Sequence, residues 1–435
     1  MELALSKFGT NYAKRVVQRV LRDYRGNLAV RLWDGQTLRF GEGAPEACLA
    51  FRHPGLLRDL VLSRDPLRLA EAYIQGELNV EGNIHAALGL KEHLQSLALS
   101  VAEKTAFAAG ALFLGETPYG DNRISGAQRR PLSLRIGRAH SKDTNRKAIA
   151  FHYDVSNDFY RLWLDEQMVY SCAYFENAHD SLDQAQRNKL DYICRKLRLK
   201  PGERLLDIGC GWGALIRWAA RYYGVRAHGI TLSRNQYEYS RAKIEKEGLE
   251  GMVKVELKDY RDLPGEAAFD KIVSVGMFEH VGLKNLPLYF GLVQRLLKPG
   301  GLFLNHGITQ DTEGWRRTTA TKFINRYVFP DGELDTVGNV QRAMERFGFE
   351  ILDVEAWRPH YALTLRHWVR RLENRKTEAL RHVPETTYRV WYLYMAACAR
   401  QFEQGEIGVY QILAAKKGKG LNPVPLTRRD LYAQR

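Results

Sequence analysis

From about residue 200 the chain alternates short apolar runs with amphipathic ones. "ERLLDIGC" reads as a buried strand and "GALIRWAARYYG" as the helix after it. "VRAHGIT" and "SRNQYEYSRAKIEKEG" repeat the pair. "VKVELKD" and "FDKIVSVG" are further strands, "LPLYFGLVQRLLKPGG" is a helix that stops on Pro-Gly-Gly, and "LFLNHGI" is a strand. "FEILDVEAW" and "GVYQILAAKK" supply late strands. This alternation predicts an α/β fold built on a mostly parallel, doubly wound sheet. Ligands of such sheets bind beyond the carboxyl ends of the strands, near the point where strand order reverses. Chemistry is therefore expected in the turns that leave the strands.

The first 115 residues read differently, as a smaller mixed α/β domain. "LAVRLWDGQTLRF" alternates around an Asp-Gly turn and predicts a hairpin. "LRLAEAYIQGELNVEGN" runs from a helix into a short extended piece, and "ALGLKEHLQSLALSVAEKTAFAAGALFLG" is one long helical stretch. A basic linker follows over 116–148, rich in Gly, Ser and Arg. A solvated connection and a strip that meets phosphate headgroups both fit that composition. The predicted organisation is 1–115, the linker 116–148, a catalytic domain 149–420 with a helical insert at Glu313–Gly348, and a tail 421–435.

Composition narrows the class. With 435 residues, 45% of them hydrophobic, two domains are expected. The net charge of +15 favours polyanions: nucleic acid, an anionic membrane surface or a phosphorylated substrate. The five cysteines form no C-x-x-C pair, which argues against a disulfide framework or zinc site and for a reducing compartment. The first twenty residues lack the apolar core of a secretory signal. The longest apolar run, "AFAAGALFLG", is half the ~20 residues of a membrane-spanning helix. A soluble or peripheral protein is expected.

The turns carry the candidate chemistry. "DIGCGWG" places Asp207, Gly209, Gly211 and Gly213 between a strand and a helix, where glycine lets the backbone approach a ligand. Its spacing is neither that of a dinucleotide fingerprint nor that of a phosphate-binding loop. It resembles motif I of class I S-adenosylmethionine (AdoMet) methyltransferases. The second turn, "GITLSRNQ", offers Thr231, Ser233 and Gln236 where many methyltransferases carry an acid for the ribose. "KDYRDL" brings Asp259, Tyr260 and Arg261 near the expected adenine. "VGMFEHVG" brings Glu279 and His280. It lacks the Asn/Asp-Pro-Pro-Tyr/Phe turn of amino-directed DNA methyltransferases, which weakens the nucleic-acid explanation of the charge. "LNHGI" adds His306 and the backbone of Ile308, and "RPHYALTLRHW" adds Tyr361. Cys172, in "MVYSCAYF", stands among aromatic residues; nucleophile, metal ligand, disulfide half and apolar filler are all open from the residues alone.

"FHYDVSNDFYRLWLDEQMVYSCAYF", "LLDIGCGWGALIRWAA", "GITLSRNQ", "DYRDL", "FEHVG" and "HYALTLRHW" occur in an order that resembles the cyclopropane-fatty-acyl-phospholipid synthases and their mycolic acid relatives. The resemblance covers about residues 125–420. "AYIQGELNVEGNI" more loosely resembles the extra domain of the phospholipid-acting members, which makes 1–115 a lipid- or membrane-associated domain. The resemblance implies a class I methyltransferase fold with a helical lid. It implies methyl transfer from AdoMet to a cis double bond of an acyl chain, a carbocation, and ring closure on loss of a proton to bound bicarbonate. The bicarbonate ligands implied are Cys172, Glu279, His306, the backbone of Ile308, and Tyr361. Tyr170 and Ser171 are implied to touch AdoMet. Cys398 is an active-site cysteine in some relatives and a packed helical thiol by pattern. Unsaturated phospholipid on the inner face of an anionic membrane, a cytoplasmic peripheral protein and a homodimer complete the expectation. Aromatic rings over Phe151–Phe175 suit a cationic reaction, or form a core stripe. A fatty-acyl C-methyltransferase giving a branched chain, and a non-catalytic lipid- or nucleic-acid-binding protein on the same fold, are the competing readings.

Overall fold

The predicted hairpin opens the first sheet. β1 (Leu28–Arg31) and β2 (Thr37–Phe40) pair antiparallel, with Leu28 opposite Phe40, and the Leu32 amide closes the turn on the Gln36 carbonyl at 2.9 Å. β3 (Ala47–Phe51) lies parallel to β1, and β4 (Leu78–Gly82) antiparallel to β3, giving the order β2-β1-β3-β4. Helix Pro66–Gln75 leads into β4 as expected: Asp65 caps its start by accepting from the Leu67 amide, and Gly76 ends it in the left-handed conformation. The long helical stretch divides into Ile84–Leu88, Leu90–Ser96 and Val101–Ala111. Ser100 and Glu103 form a reciprocal capping box that starts a new helix there. Leu28, Val30, Leu49 and Leu78 of the sheet pack on Tyr12, Val16, Leu56 and Ala111.

The computed structural model describes residues 2–63, 65–115, 155–315, 318–329, 332–418 and 424–432. The basic linker predicted over 116–148 lies outside them, as do the first rings of the aromatic segment at 151–154. The chain forms two compact units, and two late segments belong to the first. One is helix Thr319–Tyr327, whose Tyr327 hydroxyl donates to Glu71 at 2.9 Å. The other is 384–397, most of helix Glu385–Gln404. From it the buried Arg389 donates to the Tyr73 carbonyl at 2.9 Å and to Asn79 Oδ1 at 2.8 Å. Arg389→Ala strands these buried acceptors and is expected to cost about 2–3 kcal/mol, read as a shift in the urea midpoint of the full chain.

The second unit is the doubly wound sheet. Its strands are β5 (Arg204–Ile208), β6 (Arg226–Thr231), β7 (Val253–Leu257), β8 (Phe269–Val275), β9 (Leu297–Gln310), β10 (Phe349–Ala356) and β11 (Ile407–Lys416). They lie in the order β10-β11-β9-β8-β5-β6-β7. β5 to β9 run parallel, and β11 joins β9 and β10 antiparallel. The helix before β9 ends at Leu296, ahead of the expected Pro-Gly-Gly stop, because a residue preceding proline is driven out of the helical region. Side-chain alternation splits neighbouring apolar residues between two cores. Leu205, Val273, Leu304 and Leu413 face helices Leu182–Lys196 and Ala214–Tyr223. Leu206, Ile272, Phe303 and Ile412 face helices Leu286–Leu296 and Val337–Arg346. Both faces are covered, so the strands read as unbroken apolar runs. The expected insert is thus divided: Val340 and Met344 of its second helix are fully buried in the sheet's core. No helix among the described residues is long and apolar enough to cross a membrane.

Candidate active site

Strand order reverses between β5 and β8, and a cleft opens at their carboxyl ends. The turns that leave β5, β6, β7 and β8 all reach it. Asp207, Gly209 and Gly211 come from the first, Thr231 and Gln236 from the second, Asp259 and Tyr260 from the third, and Gly276, Met277 and His280 from the fourth. Tyr170, Ser171 and Lys189 close another wall. Gly211 has φ +55, and a Cβ there would meet nothing within 4 Å. The backbone is therefore bare toward the cleft, as close approach of a ligand requires.

Three residues expected at the cofactor stand slightly apart. Gly213 begins helix Ala214–Tyr223, and a Cβ on it would fall 2.1 Å from Ser240 Oγ. Its role is helix–helix approach. Ser233 caps helix Arg234–Lys246, accepting from the Gln236 amide. That cap orders the turn in which Thr231 donates to Gln236 Oε1 at 2.7 Å. Arg261 holds Asp259 through a 2.6 Å ion pair. The acid-free second turn thus binds itself together and presents a preorganised amide and hydroxyl wall.

Asp207, next to last in β5, is almost fully buried, and its Oδ1 has no hydrogen-bond partner among the described residues. Burial pushes its carboxyl up to about 7, against the pull of the Lys189 ammonium. Lys189 is itself pushed down to about 8 by burial. Burial raises Tyr260 to about 12, so it remains a neutral phenol.

Of the residues implied to hold an oxyanion, Cys172 and His306 contact Trp357, which the sequence reading did not single out, and Tyr361 follows it one helical turn later. The Trp357 carbonyl accepts from the Tyr361 amide at 3.1 Å, and the Cys172 thiol points to the same oxygen at 3.8 Å. Its indole meets the His306 ring edge-on, 5.2 Å between centroids at 86°. Its amide donates to Val409, the residue opposite Ile308 in the β9–β11 ladder. The Ile308 amide in turn donates to Glu279 Oε1 at 2.8 Å, so Ile308 joins the group through Glu279. Glu279 Oε2 is buried with no partner among the described residues. Desolvation lifts this carboxyl to about 7.

His306 is buried, and its pKa lies well below the ordinary value through desolvation and the nearby Lys189 and Lys196 cations. The imidazole is neutral. Gln411, directly opposite on β11, approaches Nδ1 with its amide nitrogen at 3.2 Å. Cys172 is fully buried and burial pushes its thiol strongly up, which keeps it a neutral thiol. All five cysteines are free. Cys398 is buried in helix Glu385–Gln404 and does not line the cleft.

Most of the aromatic segment is core. Phe159, Tyr160 and Trp163 are fully buried and pack on one another. Tyr170 lines the cleft, with its ring held by Trp163 at 5.4 Å and Trp368 at 5.2 Å. Lys189 and Gln411 were missed along with Trp357. A signal existed for Lys189: Gln186 and Lys189 interrupt the apolar face Leu182, Ala185, Leu190, Ile193 of an otherwise amphipathic helix.

With this geometry in hand, comparison with known proteins bears out the expected family. The chain is 43% identical to a probable fatty acid methyltransferase of Pseudomonas putida, over 93% of this chain and 96% of that one. It is 41% identical to the cyclopropane-fatty-acyl-phospholipid synthase of Escherichia coli K12, over 61% of this chain and 66% of that one. The structure of the cyclopropane synthase MmaA2 from Mycobacterium tuberculosis superposes with a TM-score of 0.60 at 36% identity, covering 62% of this chain and 98% of that one. The cyclopropane synthase CmaA1, solved with SAH and CTAB, gives 0.59 at 35% identity over the same share of each. A domain of unknown function matches residues 16–96. The family model described as mycolic acid cyclopropane synthetase matches residues 140–412, more than half of the chain, and the chain belongs to that family, on a class I methyltransferase fold.

Proposed function

We propose that this protein transfers the methyl group of AdoMet to the cis double bond of an unsaturated phospholipid acyl chain and closes a cyclopropane ring. The observation that carries this reading is the buried, unpartnered Glu279 Oε2, next in sequence to His280 of the cleft wall and hydrogen-bonded through Oε1 to the strand that carries His306. An alkene is a weak nucleophile, so holding both reactants in place supplies much of the acceleration. The bound methyl then loses a proton, and the site must take it without trapping the cation. Bicarbonate held among Cys172, Glu279, His306, Ile308 and Tyr361 would supply that base. The set suits it: Glu279, whose carboxyl is lifted to about 7, can share a proton with an oxyanion instead of repelling it. Cys172 stays a neutral thiol that shapes the pocket.

One finding favours a second product. Two relatives that match over nine-tenths of the chain are named probable fatty acid methyltransferases, without reference to a ring. From the same cation, a 1,2-hydride shift followed by loss of a methyl proton gives a methylene-branched chain, and loss of a proton from a neighbouring chain carbon gives a methyl-branched alkene.

The test is expression in a host that makes no cyclopropane lipid, followed by proton NMR and mass spectrometry of its fatty-acid methyl esters. High-field ring protons support the cyclopropane reading. A methylene-branched isomer or a methyl-branched alkene supports the second. Unchanged lipids overturn both. The +15 charge favours a peripheral place on the anionic membrane, and the same cells then yield protein that leaves the membrane fraction in high salt.

A further inference from the structure

Lys189 sits on helix Leu182–Lys196 with its ammonium inside the protein, 2% exposed. Burying a charge is costly unless it meets a strong partner. Its one hydrogen bond among the described residues goes to a neutral hydroxyl, Ser171 Oγ, at 2.8 Å. One turn earlier Gln186 donates to the Ser171 carbonyl at 2.9 Å. The helix therefore grips Ser171 at both its backbone and its side chain.

An ammonium only donates, so the Ser171 oxygen accepts and its own hydrogen is left for a second acceptor. Ser171 lines the cleft, and so do Lys189 and Asp207. The wall thus carries a hydroxyl donor backed by a cation, and near it a carboxylate oxygen with no partner among the described residues. An α-amino acid is the complement of such a wall: a carboxylate to accept and an ammonium to donate.

We propose that Lys189 is a positioning residue for the cofactor, turning the Ser171 hydroxyl toward the α-carboxylate of the AdoMet methionine moiety while Asp207 takes its α-ammonium. The nucleoside end then lies toward Thr231, Gln236 and Tyr260. Lys189 also draws Asp207 toward its ionised form, so one buried cation tunes both halves of the amino-acid grip.

Calorimetric binding separates this from a purely structural role. S-adenosylhomocysteine carries the amino-acid group, and 5′-methylthioadenosine lacks it. For Lys189→Met in the full chain, the Kd of S-adenosylhomocysteine is expected to rise at least about thirtyfold, while that of 5′-methylthioadenosine changes less than about threefold. Ser171→Ala is the milder companion, expected to weaken S-adenosylhomocysteine about fivefold or more and leave 5′-methylthioadenosine alone. It decides the matter should Lys189→Met lose its cooperative melting. Equal weakening of both ligands would mean that Lys189 only pins the 168–172 segment, and unchanged binding of both would also overturn the proposal. Wild-type protein that binds neither ligand would overturn the cofactor reading itself.

Discussion

Glu279→Gln is expected to lower turnover roughly 10²–10⁴-fold, the range lost with a positioned proton-transfer group, and to leave S-adenosylhomocysteine affinity within about threefold. Glu279 does not line the cofactor cleft, whereas its neighbours Met277 and His280 do. The glutamine keeps an oxygen for the Ile308 amide, so the fold around it survives. What disappears is an ionisable oxygen facing the proposed oxyanion pocket. The wild-type rate profile should show an ionisation near neutrality, since burial lifts this carboxyl to about 7, and the variant should lack it. Stability provides a second readout. The folded pKa lies above the unfolded one, so the folded state prefers the proton and ionisation costs stability as pH rises from about 4.5 toward 7. Above that range the glutamine variant should be the more stable protein by roughly 2–4 kcal/mol, with the advantage fading below the unfolded pKa. Wild-type turnover in the variant, or a stability gain that grows in acid, would remove Glu279 from the mechanism.

Trp357→Ala is expected to cost about 3–5 kcal/mol of stability and to abolish turnover in the fraction that remains folded. The indole is fully buried. It stacks on Tyr192 at 6.1 Å and 12°, tilts against Tyr174 at 4.9 Å, and fixes the plane of His306. Without it the imidazole loses the wall that sets its plane. Because Trp357 does not line the cofactor cleft, S-adenosylhomocysteine should still bind to the folded fraction. Trp357→Phe keeps a ring at the same place and should restore most of the stability and part of the rate. Chemical denaturation and turnover measured on the same samples separate the two effects. A folded alanine variant with full turnover would show that His306 needs no such support.

Much of the catalytic unit was legible because each strand and helix announces itself locally. The runs around Leu205–Ile208 and Ile272–Val273 are apolar because both faces are covered, and the glycines that follow β5 mark where the backbone must turn. The acid-free second turn was legible as a departure, and the Ser233 cap and Thr231–Gln236 bond give its physical sense. The long stretch before Gly115 misled because helical periodicity continues across Ser100, where a capping box restarts the helix. The insert misled in another way: helical periodicity does not say which body a helix serves. Thr319–Tyr327 packs with the first unit, and Val337–Arg346 covers the sheet.

The order of residues, by itself, determined the doubly wound sheet, the family and the turns that meet at the cleft, since hydrophobic period and turn chemistry are properties of neighbours in the chain. Tertiary structure alone decided that Trp357 joins Cys172, His306 and Tyr361, that Gln411 meets Nδ1 of His306, and that Lys189 stands behind Ser171. Those partners come from strands and helices far apart in sequence. Their meeting is set by sheet register and helix packing, which no local pattern carries.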